Sequence, residues 1–381
     1  MNFNNYHSNS TFASRVICAI VFSLFTFLFL YFFQADVLTA AQHILSGGIT
    51  HYSRLLGAIL ITFILQLLQI AIFSFTRLAK RTHALTYFPS CLILAFITDI
   101  SPNIATHFSI GAWGWIIPLL LVVYVVAVKL ALVLQPYEPE NSSSGLFSRN
   151  MWLNLLILNL FFLFVGLASN GNDIFHYRMR IENLLGKGEF DKAISVGVKS
   201  DESDASLTML RIYALSRVGQ LGEKLFTYPM KGGSDALIPS DSAVTLFYPS
   251  DSIFIYLGGK TRKKYRPMQY MQLLQNRHRL TRPAIDYLLC GYLLDRNLDA
   301  FVRDLRRYYK IDEKLPLHYR EALTLYTHLR TNPLLIYHNS VMDTDYQDMI
   351  DLQSQFQNQT QRRSAVLDSY GSTYWSYYLY K

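Results

Sequence analysis

Five apolar stretches, parted by short polar breaks, crowd into the first 170 residues. A helix needs about 20 mainly apolar residues to cross ~30 Å of hydrocarbon, because each backbone amide must be satisfied within the segment. Val16 to Phe33, Leu55 to Phe75, Trp113 to Leu134 and Trp152 to Ala168 meet that requirement. Ala84 to Ile100 is the weakest of the five, with Pro89 within it and Asp99 near its end. It reads as a crossing, with a re-entrant or interfacial segment as the alternative. The first stretch is longer than the roughly 7–15 apolar residues of a cleaved signal peptide and reads as a retained anchor.

Beyond residue 170 the apolar residues fall at helical spacing. Ile174 to Leu185 predicts a helix, closed by Gly186-Lys187-Gly188, and a second begins at Phe190. Leu207 to Arg217 predicts another, closed by Gly219 and Gly222. The breaks at Gly188 and Gly219 are close to the tetratricopeptide period of about 34 residues. Ala284 to Leu294 leads through Asp295-Arg296-Asn297 into a partner helix that ends near Tyr309. Pro316 opens another, closed before Pro333. Each such helix has one apolar face to bury, and stacked pairs bury it while leaving a groove. Between these blocks, 231–266 carries Gly232, Gly233, Pro239, Pro249, Gly258 and Gly259 among Asp and Ser, and reads as an irregular insertion.

The predicted architecture is therefore all-α: about five transmembrane helices, then a soluble domain of TPR-like helical hairpins with a loop insertion. Its parts are an N-terminal segment 1–15, a membrane domain 16–169 and hairpins at 170–230. The loop at 231–266, hairpins at 267–332 and a terminal segment with an aromatic cap at 333–381 follow.

Composition sharpens the division. The chain is 51% hydrophobic and only 16% charged, against a usual ~25%. The deficit is local. Residues 1–170 hold only Arg15, Arg54, Arg77, Lys80, Arg81, Lys129 and Arg149 as cations, and Asp36, Asp99, Glu138 and Glu140 as anions. The remaining charges give the tail ordinary globular polarity and a basic excess too small to argue for nucleic acid. With a cytoplasmic N-terminus, the inner side collects Arg15, Arg77, Lys80, Arg81 and Arg149, and the outer loops collect Arg54. An odd number of crossings then puts the tail outside, in the periplasm if the membrane is a bacterial inner membrane. Arg178 and Arg180, just after the last stretch, argue the other way. If Ala84 to Ile100 does not cross, the tail is cytoplasmic.

Among intramembrane polar residues, Gln66 and Gln69 lie one turn apart, and Asn154 and Asn159 roughly share a face. Bonds between neighbouring helices account for them. Lys129 lies near a helix end and can snorkel to the interface. A transporter would need a watery path past it.

In the tail, Lys260, Arg262, Lys263, Lys264 and Arg266 form a basic cluster suited to anionic lipid head groups, with surface solvation as the plainer account. Gly258-Gly259-Lys260-Thr261 imitates the end of a phosphate loop, but Phe254 stands where the first glycine belongs. Asp343, Asp345, Asp348 and Asp351 form an acidic run that does not fit a calcium loop. His318 and Glu321 lack the second histidine of a zinc-protease helix. The terminal aromatics Tyr370, Tyr374, Trp375, Tyr377, Tyr378 and Tyr380 read as a cap, because aromatic rings bury large areas. Cys18, Cys91 and Cys290 form no disulfide framework.

Pro283 to Leu294, Leu315 to Leu323 and Tyr370 to Trp375 resemble an uncharacterised family of multi-pass membrane proteins of Bacteroides-type bacteria. The resemblance implies a Gram-negative inner membrane and a tetratricopeptide-like tail. It implies no activity.

The expectation is a non-enzymatic, membrane-anchored repeat protein of the bacterial envelope, with membrane lipid and a protein or peptide as partners and no cofactor. A membrane enzyme or glycan-handling protein using the polar loop and acidic run stands as the alternative, and a transporter component as a further one. The first alternative requires His338, Asp343 and Asp345 to converge in one pocket.

Overall fold

A computed structural model describes residues 4–78, 80–102, 104, 110–135, 149–261 and 263–380. Among them the regular elements are all helices. The chain forms two compact units, Met1–Asp173 and Ile174–Lys381.

In the first unit, α1 (Asn4–Leu28) passes through a π-helical turn, Phe29–Gln34, into α2 (Ala35–Leu45). Then come α3 (Arg54–Thr76), a 3-10 helix (Lys80–Tyr87) continuous with α4 (Phe88–Thr98), α5 (Trp113–Leu134) and α6 (Arg149–Ala168). Four helices, Phe12–Leu45, Arg54–Thr76, Trp113–Leu134 and Arg149–Ala168, are long and apolar enough to cross a membrane. They turn large apolar side chains outward, such as Leu119 at 64% and Leu60 at 59% exposure. An outer surface this apolar suits lipid better than water.

The Ala84 to Ile100 stretch is not among those four. It begins earlier than expected, at Lys80, and its first half is 3-10. Pro89 sits where the 3-10 coil gives way to α4, at a position where a missing amide hydrogen is tolerated. Ser90, Cys91, Leu92, Leu94, Ala95 and Thr98 are all buried, so this segment lies inside the bundle.

Its path is set by polar contacts. At one end Arg81 Nε donates to Asn150 Oδ1 (2.9 Å) and the Ala84 amide to Asn154 Oδ1 (2.8 Å). At the other, the Asn170 amide donates to Thr98 O (3.3 Å) and its side chain to Ile100 O. Against α3, Gln69 Nε2 donates to Thr86 Oγ1 (2.9 Å) and Ser90 Oγ to Leu65 O (2.8 Å). The 80–98 segment thus runs beside α6 from start to end, and antiparallel to α3. Eight residues of 3-10 helix and eleven of α-helix rise about 32 Å together.

The same contacts sort the charges. The Arg15 guanidinium lies over the Phe73 ring (4.4 Å) near the end of α3, and Arg81 meets the start of α6. Arg77 and Arg149 flank those helix ends. At the opposite end Arg54 Nε donates to Tyr31 O (2.6 Å), and Trp113 Nε1 to Asp99 Oδ2 (2.7 Å).

The second unit opens with α7 (Asp173–Gly186), α8 (Phe190–Ile194), α9 (Ala205–Arg217) and α10 (Leu221–Lys224). It continues with α11 (Ser250–Leu257), α12 (Pro267–Asn276), α13 (Arg282–Leu294) and α14 (Leu298–Tyr308). It closes with α15 (Leu317–Leu329), α16 (Ser340–Ser354), α17 (Gln359–Tyr370) and α18 (Tyr374–Tyr380). Local chemistry marks the boundaries. Gly188 and Gly219 both take φ +74°, which ends a helix at little cost only for glycine. Asp204, Thr281, Asn297 and Asn339 each accept an amide hydrogen from the first turn that follows. α9 and α13 are buried along most of their length and pack together at the centre of the core.

The terminal aromatics pack inward. Tyr374 N donates to Glu321 Oε2 (2.7 Å), Trp375 Nε1 to Glu321 O (2.7 Å), and Tyr377 OH to Leu294 O (2.9 Å). His318 completes the junction: its Nε2 accepts from the Phe226 amide (3.1 Å), and its Nδ1 meets Glu321 Oε2 (2.9 Å).

Candidate binding site

The site starts from a buried carboxylate. Glu182 on α7 accepts the amides of Leu246 (3.0 Å), Phe247 (2.8 Å) and Tyr248 (2.9 Å). Burial pushes its carboxyl above the usual range, and the three amides and Arg178 pull the other way. Arg178 Nη2 donates to Val244 O (3.2 Å) and its Nη1 meets Asp204 (3.3 Å). Ser206 Oγ accepts from the Val244 amide (3.0 Å). The stretch expected as an irregular insertion is therefore pinned from α7 and α9, and it contains the two-turn helix α11.

The pinned loop walls a cavity of 790 Å³. Residues 235 and 238–245 form one side, the first turns of α11 and α12 meet it at Ser250 and Pro267, and residues 260, 261 and 263–266 close it. Lys260, Lys263, Lys264 and Arg266 all line it, against Asp235 and Asp241. Lys260 pairs with Asp251 (2.6 Å) and Lys264 with Asp241 (3.0 Å), both in solvent, so these pairs hold the cations only weakly. The N-terminal ends of α11 and α12 add positive dipole ends to the same space. Ser240, Ser242 and Thr261 supply hydroxyls, and Tyr265 and Tyr270 supply rings. Such a cavity suits an anionic group on a larger, partly apolar molecule.

The other expected residues fall elsewhere. Arg262 lies outside the described residues. Lys260 belongs to a turn that follows the C-terminus of α11, with Gly258 at φ +131° and Gly259 at φ +112°. A phosphate loop opens a helix, so this turn presents the wrong pole. Gln66 Nε2 donates to Gln69 Oε1 (3.1 Å), and Ser23 Oγ approaches Gln66 (3.5 Å), so the amides join helices. Asn154 is buried and holds the 3-10 segment, whereas Asn159, five residues on, is exposed: the two do not share a face. Lys129 is exposed on the outer side of α5.

The acidic run lies on α16. Asp343 in its first turn accepts from the Asn339 amide (3.3 Å), with His338 Nδ1 at 3.5 Å and His328 Nε2 at 3.9 Å. Asp345 does not join them among the described contacts. His338 is largely exposed, its side chain 76% accessible. Among the described residues, no group of His, Cys, Asp and Glu is arranged to hold a metal.

Sequence reading missed the Glu182 clamp and the half-buried Asp286, whose Oδ1 accepts from Tyr309 OH (2.6 Å) and Tyr319 OH (2.9 Å). A polar residue on the apolar face of a predicted helix was the available signal for both.

The sequence model of one family, described as a family of unknown function (DUF6057), matches residues 103–261 and 259–381. No curated protein and no solved structure matches.

Proposed function

Because the chain belongs to DUF6057, a family of unknown function, we propose from its own geometry that it is a membrane-anchored, non-enzymatic partner-binding protein. In this reading the tail is a TPR-like stack of helical hairpins, and its cationic cavity receives an acidic segment of a protein partner. The observation that carries it is the convergence of Lys260, Lys263, Lys264 and Arg266 with two helix N-termini around one 790 Å³ cavity. A photo-crosslinking residue placed at Tyr265 of the full chain, in cells, should trap a discrete partner, and Lys263→Glu with Arg266→Glu should abolish the adduct. An adduct unchanged by that charge reversal, or none at all, defeats the reading.

The membrane is proposed to be a bacterial inner membrane, crossed five times, with the N-terminus cytoplasmic and the tail periplasmic. The full-height run of 80–98 beside α6 supports the odd count. The gathering of Arg15, Arg77, Arg81 and Arg149 at one end supports the orientation. Of the two counter-signals, Arg178 is buried and paired with Asp204, so it is a structural cation of the tail, whereas Arg180 is exposed and still argues the other way. A reporter fused after Lys381 and active only outside the cytoplasm should be active.

A further inference from the structure

The first unit holds a larger cavity than the tail does. It measures 1060 Å³ and lies at the end of the bundle away from Arg15 and Arg81. Its walls come from α2, α3, α4, α5 and α6, with Leu38, Ile61, Ile97, Ile116 and Phe164 among them. A space this large with so apolar a lining is poorly suited to water, which needs two to four polar partners per molecule. Four of its five wall helices, α2, α3, α5 and α6, belong to the helices long enough to cross a membrane, so in that setting lipid surrounds the bundle that holds it.

The polar groups at this cavity are few and specific. Asp99 is the single charged side chain among its described lining residues, and its Oδ2 is oriented by the Trp113 indole at 2.7 Å. Tyr52 also lines it. The cavity therefore offers an anion for a cationic group and apolar walls for a chain.

We propose that this cavity holds one zwitterionic aminolipid, its ammonium on Asp99 and an acyl chain between α2, α4, α5 and α6. Apolar walls gain nothing over bulk lipid. The headgroup contact supplies the selectivity, because a charge-assisted bond is stronger than a neutral one. An anionic lipid lacks the ammonium and would meet Asp99 as a like charge. The inference uses the membrane setting of the first unit and is independent of the tail's partner.

The test uses the full chain in nanodiscs of equal parts phosphatidylethanolamine and phosphatidylglycerol, transferred to mild detergent, with retained lipid measured by native mass spectrometry. The wild type should keep one phosphatidylethanolamine per chain. Asp99→Asn should lower that occupancy about tenfold, and Ala168→Trp, which fills the cavity, should remove it. Lys129→Ala, outside the cavity, should change nothing. Thermal midpoints of all four proteins establish that each is folded. Equal retention of both lipids, no retained lipid, or retention indifferent to both cavity variants overturns the proposal.

Discussion

Asp286 is a carboxylate that folding half buries. Two tyrosine hydroxyls stabilise its charge, yet burial outweighs them and its carboxyl is raised above the ordinary range. A raised folded value means that its contribution to stability is full below the unfolded value, about 4, and is lost as pH rises through the folded one. Asp286→Asn keeps an oxygen for the tyrosines and carries no charge. The variant should therefore gain on the wild type as pH rises from 4 to 8, read as the difference in thermal midpoint in detergent. A pH-independent difference contradicts this account. Glu182 makes a different case, since three amides address one carboxylate. Glu182→Gln leaves one acceptor and turns an NH₂ towards a donor, at a cost of about 1–3 kcal/mol. Faster hydrogen exchange over residues 244–248 is the specific readout, and unchanged exchange there removes the clamp from the argument.

Elements were legible where one local rule decided them. The four long apolar helices declared themselves because lipid admits no charged face, and Gly188 and Gly219 marked turns because only glycine takes that φ cheaply. The 80–98 segment was ambiguous for a physical reason: it is shielded by its neighbours, so it can carry Thr86, Ser90 and Thr98, which blur the apolar signal. The cationic cavity was half legible. Lys260 to Arg266 stood out as a run, but the loop facing them is anchored where Glu182 holds the amides of residues 246–248 from more than 60 positions away, and no spacing rule reaches that far. Close packing between elements gives a sharper test. A Cβ at Gly222 on α10 would lie 2.8 Å from Tyr319 and 2.9 Å from Pro316, whereas one at Gly186, the end of α7, meets nothing within 4 Å. Gly222→Ala should cost about 1–3 kcal/mol through overpacking, and Gly186→Ala should be neutral or slightly stabilising. Equal shifts in thermal midpoint would mean that α10 and α15 do not meet as described.

At the scale of the whole molecule, the parity of crossings decides which compartment the tail serves, and it turns on one segment. If 80–98 crosses, the 46–53 turn and the tail share a side, and Gln135 lies on the other. If it returns to the side it came from, the 46–53 turn and the tail are on opposite sides. Membrane-impermeant thiol labelling separates these cases cleanly, because Cys18, Cys91 and Cys290 are all buried and free, and buried thiols react poorly. Ile49→Cys and Asp241→Cys, both at exposed positions, should label from the same face of intact cells, and Gln135→Cys only after the membrane is breached. Labelling of Ile49→Cys without Asp241→Cys would place the tail in the cytoplasm and reduce the crossings to four. Its cationic cavity would then meet cytoplasmic partners, while the lipid cavity, built wholly within the first unit, would stand as before.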